Sequence, residues 1–323
     1  MKRNFLCGLV LLSLVLLSSC SDSNDTLPDG DSIPSPPLLL RYELSSTTSV
    51  PSGFTFDPVE RNFYLAGIGD GSIVRVDAEG RESELRAPDN LVSFWGAKVD
   101  AERRRLWICA RDPEGIDNQM WVYDLNTDER VKEFLLGALW PKGDCNDLVL
   151  DENGIAYVTD PVNPNIYKLD PALGEGSIYL SDPLFTDVFG AGVGLNGIKI
   201  TEDGSKLITA TLAPATLFSV SLPVPDELVV VELEGDPLIT PDGMEFLDGY
   251  FYSIAIGSVH RLSFNDAYTR ATVSSQSGFN QVTSGTIAEG GLYVVKSQAV
   301  SFVQGSELDL PFEFFVIDLT TFD

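Results

Sequence analysis

The chain predicts an all-β fold assembled from one unit used six times, and three observations carry that prediction. The first is a recurring hairpin. Its clearest copy runs from Asn146-Asp147-Leu148-Val149-Leu150 through Asp151-Glu152-Asn153-Gly154 into Ile155-Ala156-Tyr157-Val158. The apolar runs suit strands buried on both faces, and Asn153-Gly154 tolerates the positive φ of a tight turn. Further copies start at Ser52, Trp95, Asn196 and Asp242, and a weaker one at Thr283, at a period of roughly 40 to 50 residues. The second observation is a third strand-like run after each of the first five hairpins, at 72–77, 120–124, 165–170, 216–220 and 258–262, with a weaker fourth in most units, such as 130–134. The third is that no stretch sustains a helical period, and the runs are bounded by Gly, Pro, Asn or Asp. Units of this length cannot bury their faces alone, so the pattern predicts a six-bladed β-propeller of four-stranded antiparallel blades.

Taken in order, the chain begins with a basic stretch, Met1-Lys2-Arg3-Asn4, and an apolar run from Phe5 to Leu17 that is too short and too early for a mature membrane span. Leu17-Ser18-Ser19-Cys20 resembles a bacterial lipobox, so residues 1–20 are expected to be a lipoprotein signal with Cys20 acylated. Several acyl chains at about 0.8 kcal/mol per buried methylene would anchor the protein without a spanning helix. Ser21 rather than Asp after that cysteine suggests the outer membrane of a two-membraned cell, with the body facing the periplasm or the surface. Residues 21–37, rich in Ser, Asp and Pro, are expected to be a disordered tether, and 38–323 the propeller domain. The last blade would take 314–319 as a strand, and the segment 38–44 is free to add its outer strand, so both termini close the ring. A formal net charge of -27 argues against nucleic acid and anionic lipid surfaces as partners. A monomer is expected.

In a propeller the innermost strand of each blade starts beside the central axis, so Ser52, Trp95, Asn146, Asn196, Asp242 and Thr283 should ring one end of the tunnel. Asn146, Asn196 and Asp242, from consecutive blades, offer side-chain oxygens suited to a hard cation such as calcium. The other reading of the three is plain turn chemistry, since Asn and Asp before Gly or Asp favour positive φ.

The phrases Asn146-Asp147-Leu148-Val149-Leu150-Asp151, Leu195-Asn196-Gly197-Ile198 and Pro241-Asp242-Gly243-Met244, at their spacing, resemble the senescence-marker-protein/gluconolactonase family, over Pro51 to Val295. That resemblance implies a divalent metal in the tunnel that assists hydrolysis of sugar lactones. It implies Asn196 and Asp242 as metal ligands and Asn146 beside them, touching substrate or a metal-bound water; catalytic roles would fall to Asp242 and Asn146. The chain departs from the family at the first blade. Ser52-Gly53-Phe54 stands where the family has Glu-Gly-Pro, which leaves Asp242 as the one matching carboxylate. Two classes of function follow: a divergent metal-assisted lactone or ester hydrolase, or a non-catalytic propeller that binds a ligand or protein through its loop face.

Other chemistry is limited by inventory. His260 is the only histidine and falls in a third strand, away from the tunnel mouth, where a strand residue on a blade face is the simpler reading. Gly192-Val193-Gly194-Leu195-Asn196-Gly197 matches the dinucleotide glycine pattern by letters, but it precedes a strand instead of opening a helix. Cys109 ends the second strand of blade 2 and Cys145 immediately precedes blade 3, at the same end of the molecule. They are expected to form a disulfide, which suits an oxidising compartment, or else to be two small buried thiols.

Overall fold

The structure, a computed structural model, describes residues 36–186 and 193–322. The expected signal, Cys20 and nearly all of the tether lie outside the described residues, as does Gly192. The body is a ring of six sheets, one per predicted blade, each built on an antiparallel meander. Their inner strands are Pro51–Asp57, Ser93–Asp100, Leu148–Leu150, Leu195–Ile200, Pro241–Leu247 and Val282–Ala288. Each pairs with the second strand expected from the hairpin pattern, for instance Leu148 with Val158 and Ile200 with Leu207.

The ring closes through both ends of the chain. Blade 6 takes Arg41–Glu43 as its outer strand, with Tyr42 opposite Phe314. The physical reason is aromatic packing. Tyr42 stacks on Phe314 with centroids 4.5 Å apart, and Phe314 lies 4.8 Å from Phe63 and 5.0 Å from Phe54. The N-terminal strand, the last strand and blade 1 therefore share one buried cluster, at roughly 1.5–3 kcal/mol for each fully buried side chain of this size. The Tyr42 hydroxyl donates to the Ala78 carbonyl at 3.1 Å, so its polar end is satisfied as well.

Two features depart from a plain sixfold repeat. The fifth sheet has a fifth strand, Glu232–Gly235, which runs parallel to Arg270–Phe279. A short helix, Ala299–Val303, sits between the second strand of blade 6 and the strand Glu313–Val316.

The inner strands are not regular at their mouths. In every blade but the third, the pairing register shifts beside the lead residue, as between Pro51 and Gly53 or between Pro241 and Met244. Such bulges bend a strand and re-aim the side chain at the break. Blades 1, 2, 4 and 5 carry glycine directly after the lead residue. A Cβ on Gly197 would sit 1.9 Å from the Asp242 carbonyl oxygen, and one on Gly96 would sit 2.3 Å from that of Asn146. The glycines thus let neighbouring blades meet backbone to backbone, which draws the lead residues together.

Candidate functional site

All six lead residues line one cavity of about 250 Å³ at the mouth of the tunnel. Its floor carries Ser52, Asn146, Asn196, Asp242 and Thr283, with Trp95 beside them. Much of its wall comes from a second set of positions, those at or just after the ends of the second strands of blades 2 to 5. These are Arg111 in blade 2, Pro161 and Val162 in blade 3, Leu212 in blade 4 and Ile256 in blade 5. The helix of blade 6 adds Ala299, Val300 and Val303, with Gln304 directly after it, and Val193 completes that side. An up-and-down blade returns its second strand to the tunnel-mouth face, so both sets meet there.

The three residues singled out from the sequence are together, and they are not equivalent. The Asn146 amide donates to Asn196 Oδ1, so each satisfies part of the other. Asp242 has no hydrogen-bond partner among the described residues. Burial, and secondarily the negative charge of Asp147, pushes its carboxyl well above the usual carboxylate range. Asp242 therefore holds its proton to higher pH than a surface aspartate. Thr283 is 4% exposed, and its Oγ1 has no hydrogen-bond partner.

This donor set fits a hard dication poorly. Ser52 is neutral, Asp242 is the one carboxyl on the floor, and the Arg111 guanidinium lines the same cavity. Among the described residues no three His, Cys, Asp or Glu side chains are grouped to hold a metal. Calcium affinity scales with the number of charged oxygens offered, and here that number is low.

One layer below the floor lies a cluster that sequence reasoning did not find. Lys98, Lys199 and Glu245 each stand three residues after a lead residue, in blades 2, 4 and 5. Lys98 Nζ donates to Glu245 Oε1 at 2.6 Å, and Lys199 donates to Glu245 Oε2. Blades 2 and 5 face each other across the ring, so the Lys98–Glu245 pair crosses the axis and closes the cavity from below. Burial alone would raise the Glu245 pKa, but Lys199 and Lys98 outweigh it and hold the carboxyl below its usual range. Asp147 sits beside this cluster, its carboxyl raised by burial and partly offset by Lys98.

The side of the site is braced through blades 2 and 3. Arg111 lies over the Trp95 ring at 4.2 Å, bridges to Asp144 at 2.8 Å and donates to the Cys145 carbonyl at 2.8 Å. A disulfide joins Cys109 to Cys145 with the Cα atoms 5.8 Å apart, next in sequence to Asn146. Asp160 accepts from the Tyr167 hydroxyl at 2.6 Å and from the Asp144 amide at 3.0 Å, which fixes the segment leading to Asn146. His260 takes no part. It is buried, contacts Ser275 at 2.7 Å and Ser258 at 3.1 Å, and burial lowers its pKa.

No protein-family model matches the chain, and no curated protein sequence does. Solved structures are similar in shape. The major Malassezia sympodialis allergen Mala s 1 aligns with a TM-score of 0.70 at 14% identity, over 87% of this chain and 96% of that one. The Xanthomonas campestris gluconolactonase XC5397 aligns at 0.59 and 14% identity, over 83% and 86%. The PQQ-bound aldose sugar dehydrogenase of Streptomyces coelicolor aligns at 0.57 and 14% identity, over 86% and 98%. The protein therefore has the propeller architecture that gluconolactonases share, and the resemblance read from Asn146, Asn196 and Asp242 fits these neighbours. An allergen, a gluconolactonase and a dehydrogenase on one architecture also show that fold alone does not select a function.

Proposed function

We propose that this is a lactonase-like binding propeller, tethered to the bacterial envelope as a monomer, that takes a small carbonyl-bearing organic molecule in the tunnel mouth. The observation that supports this reading is the floor of the cavity: the Asp242 carboxyl beside Asn196, Asn146 and the unpartnered Thr283 hydroxyl, under a largely apolar wall. A lactone or ester carbonyl accepts hydrogen bonds and donates none, so it suits a floor that offers the Thr283 hydroxyl and the Asn196 amide as donors. Saturating δ-valerolactone at about 100 times its dissociation constant is expected to add roughly 2.7 kcal/mol to the unfolding free energy of the full-length protein. Asp242→Leu is expected to remove that gain. An unfolding curve indifferent to the lactone would count against the reading.

A metal-assisted hydrolase is the second reading, favoured by the convergence of Asn146, Asn196 and Asp242 from consecutive blades. It requires a calcium-type ion on Asn196 and Asp242, for which the present donor set is weak.

The envelope location rests on the lipobox ending at Cys20 and the tether after it. Mass spectrometry of the mature protein is expected to find a diacyl or triacyl Cys20 at the N-terminus. A mature terminus elsewhere, without lipid, would end that part of the proposal.

A further inference from the structure

The division of the cavity into a polar floor and a largely apolar wall bears on which lactone or ester belongs there. We infer that the ligand is an aliphatic lactone or ester, its carbonyl on the floor and its hydrocarbon part along the wall, in preference to a polyhydroxylated sugar lactone. This rests on the proposed function and narrows it.

The wall residues Pro161, Val162, Val193, Leu212, Ile256 and Val303 offer no side-chain hydrogen-bonding group. Val162 and Val303 are 60% and 69% exposed, so the apolar surface continues outward over the rim. Trp95 adds a flat face. Its Nε1–H already donates to Ser93 Oγ at 3.1 Å, and Arg111 covers one side of the ring. What remains of the indole is hydrocarbon-like surface.

Apart from Arg111, which Asp144 and the Cys145 carbonyl already engage, and Gln304 beside the blade-6 helix, the polar groups of the lining are on the floor. Once Asn146 and Asn196 have paired, the floor keeps Ser52, the Asp242 carboxyl, the buried Thr283 hydroxyl and the other polar atom of each amide. That complement lies at one end of the cavity, where it can meet a carbonyl with its ring oxygen. A sugar lactone brings a hydroxyl on most ring carbons, and several of these would face the valines, Leu212 and Ile256 without a partner. A buried polar group without a hydrogen bond is disfavoured, while each methylene placed against such a wall is favoured. Both effects push the preference the same way.

The test compares δ-decalactone with freshly dissolved glucono-δ-lactone, which have the same number of non-hydrogen atoms and differ in polarity. Calorimetric titration of the full-length protein should find δ-decalactone binding at least about tenfold tighter. Leu212→Glu, which sets a charge into the wall, should weaken δ-decalactone by at least about tenfold. Running the variant in the same buffer cancels partition of the lactone into any carrier. If Leu212→Glu fails to fold, Thr283→Val takes its place, because it removes a floor hydroxyl while keeping the shape, and it should weaken δ-decalactone several-fold.

Equal or tighter binding of glucono-δ-lactone would overturn the aliphatic preference and leave the tunnel-mouth reading standing. Saturable binding of neither lactone would overturn both. Unchanged δ-decalactone affinity in the folded variant would mean that it binds elsewhere, and that too overturns the inference.

Discussion

Glu245→Ala is expected to lower the unfolding free energy by about 3 to 5 kcal/mol, the range seen when one partner is removed from a buried ion pair. Lys98 and Lys199 are only 13% and 22% exposed and share this single carboxylate, so both would be left with a poorly solvated charge. Urea unfolding of the full-length protein measures the loss through the shift in midpoint. The pH dependence carries the sign. Glu245 has a lowered pKa, so its contribution is present above the ordinary glutamate value and is lost as pH falls through the lowered one. Lys98 has a raised pKa, the attraction of Glu245 and Asp147 outweighing burial. Its contribution is present below the ordinary lysine value and is lost as pH rises through the raised one. The cluster therefore stabilises across the neutral range. Replacing all three charges with methionine should recover most of the loss, because the penalty comes from uncompensated charge more than from a missing contact. A loss below about 1 kcal/mol in Glu245→Ala would show that water reaches the lysines freely, as at a surface pair, and that the tunnel is not closed there.

The second large effect belongs to the disulfide. Removing it with the Cys109→Ala, Cys145→Ala double substitution should cost about 3 to 4 kcal/mol, since the bridge spans a sequence separation of 36 and restricts the unfolded chain. Both cysteines are fully buried, so small cavities add to the loss. The consequence reaches the site, because Cys145 is the neighbour of Asn146 and its carbonyl is held by Arg111. The double variant should therefore bind a tunnel-mouth ligand more weakly as well as unfold earlier. An unchanged urea midpoint in the double variant would contradict this account of the bridge.

The fold was legible because each blade repeats its own signal. Six hairpins with doubly buried first strands, such as Leu148–Leu150 against Ala156–Thr159, cannot be satisfied except by stacking. The ring closure was legible for the same reason, since 38–44 is strand-like and has no partner of its own ahead of blade 1. The six lead residues were legible as a shared register, and the structure gathers all of them around one cavity.

What escaped were pairings made only when the ring closes. Lys98 and Glu245 are separated by 147 positions, and nothing local marks either as buried. Their common offset of three residues from Trp95 and Asp242 was the available signal. The wall was hidden in a similar way. Arg111, Val162, Leu212 and Ile256 look like ordinary loop residues until the ends of the second strands are aligned between blades. The parallel strand Glu232–Gly235 had no hairpin to announce it, because its partner Arg270–Phe279 comes after three intervening strands.

The central claim is that the tunnel mouth keeps a cavity for an organic ligand and lacks the charge to hold a hard cation. Calcium titration of the full-length protein beside Ser52→Glu, followed by thermal unfolding, tests it most directly. The account predicts an unfolding curve indifferent to calcium for the natural sequence and a calcium-dependent rise in Ser52→Glu, where a second carboxylate joins Asp242. A calcium-dependent rise in the natural protein that Asp242→Ala abolishes would contradict it and restore the metal-assisted reading.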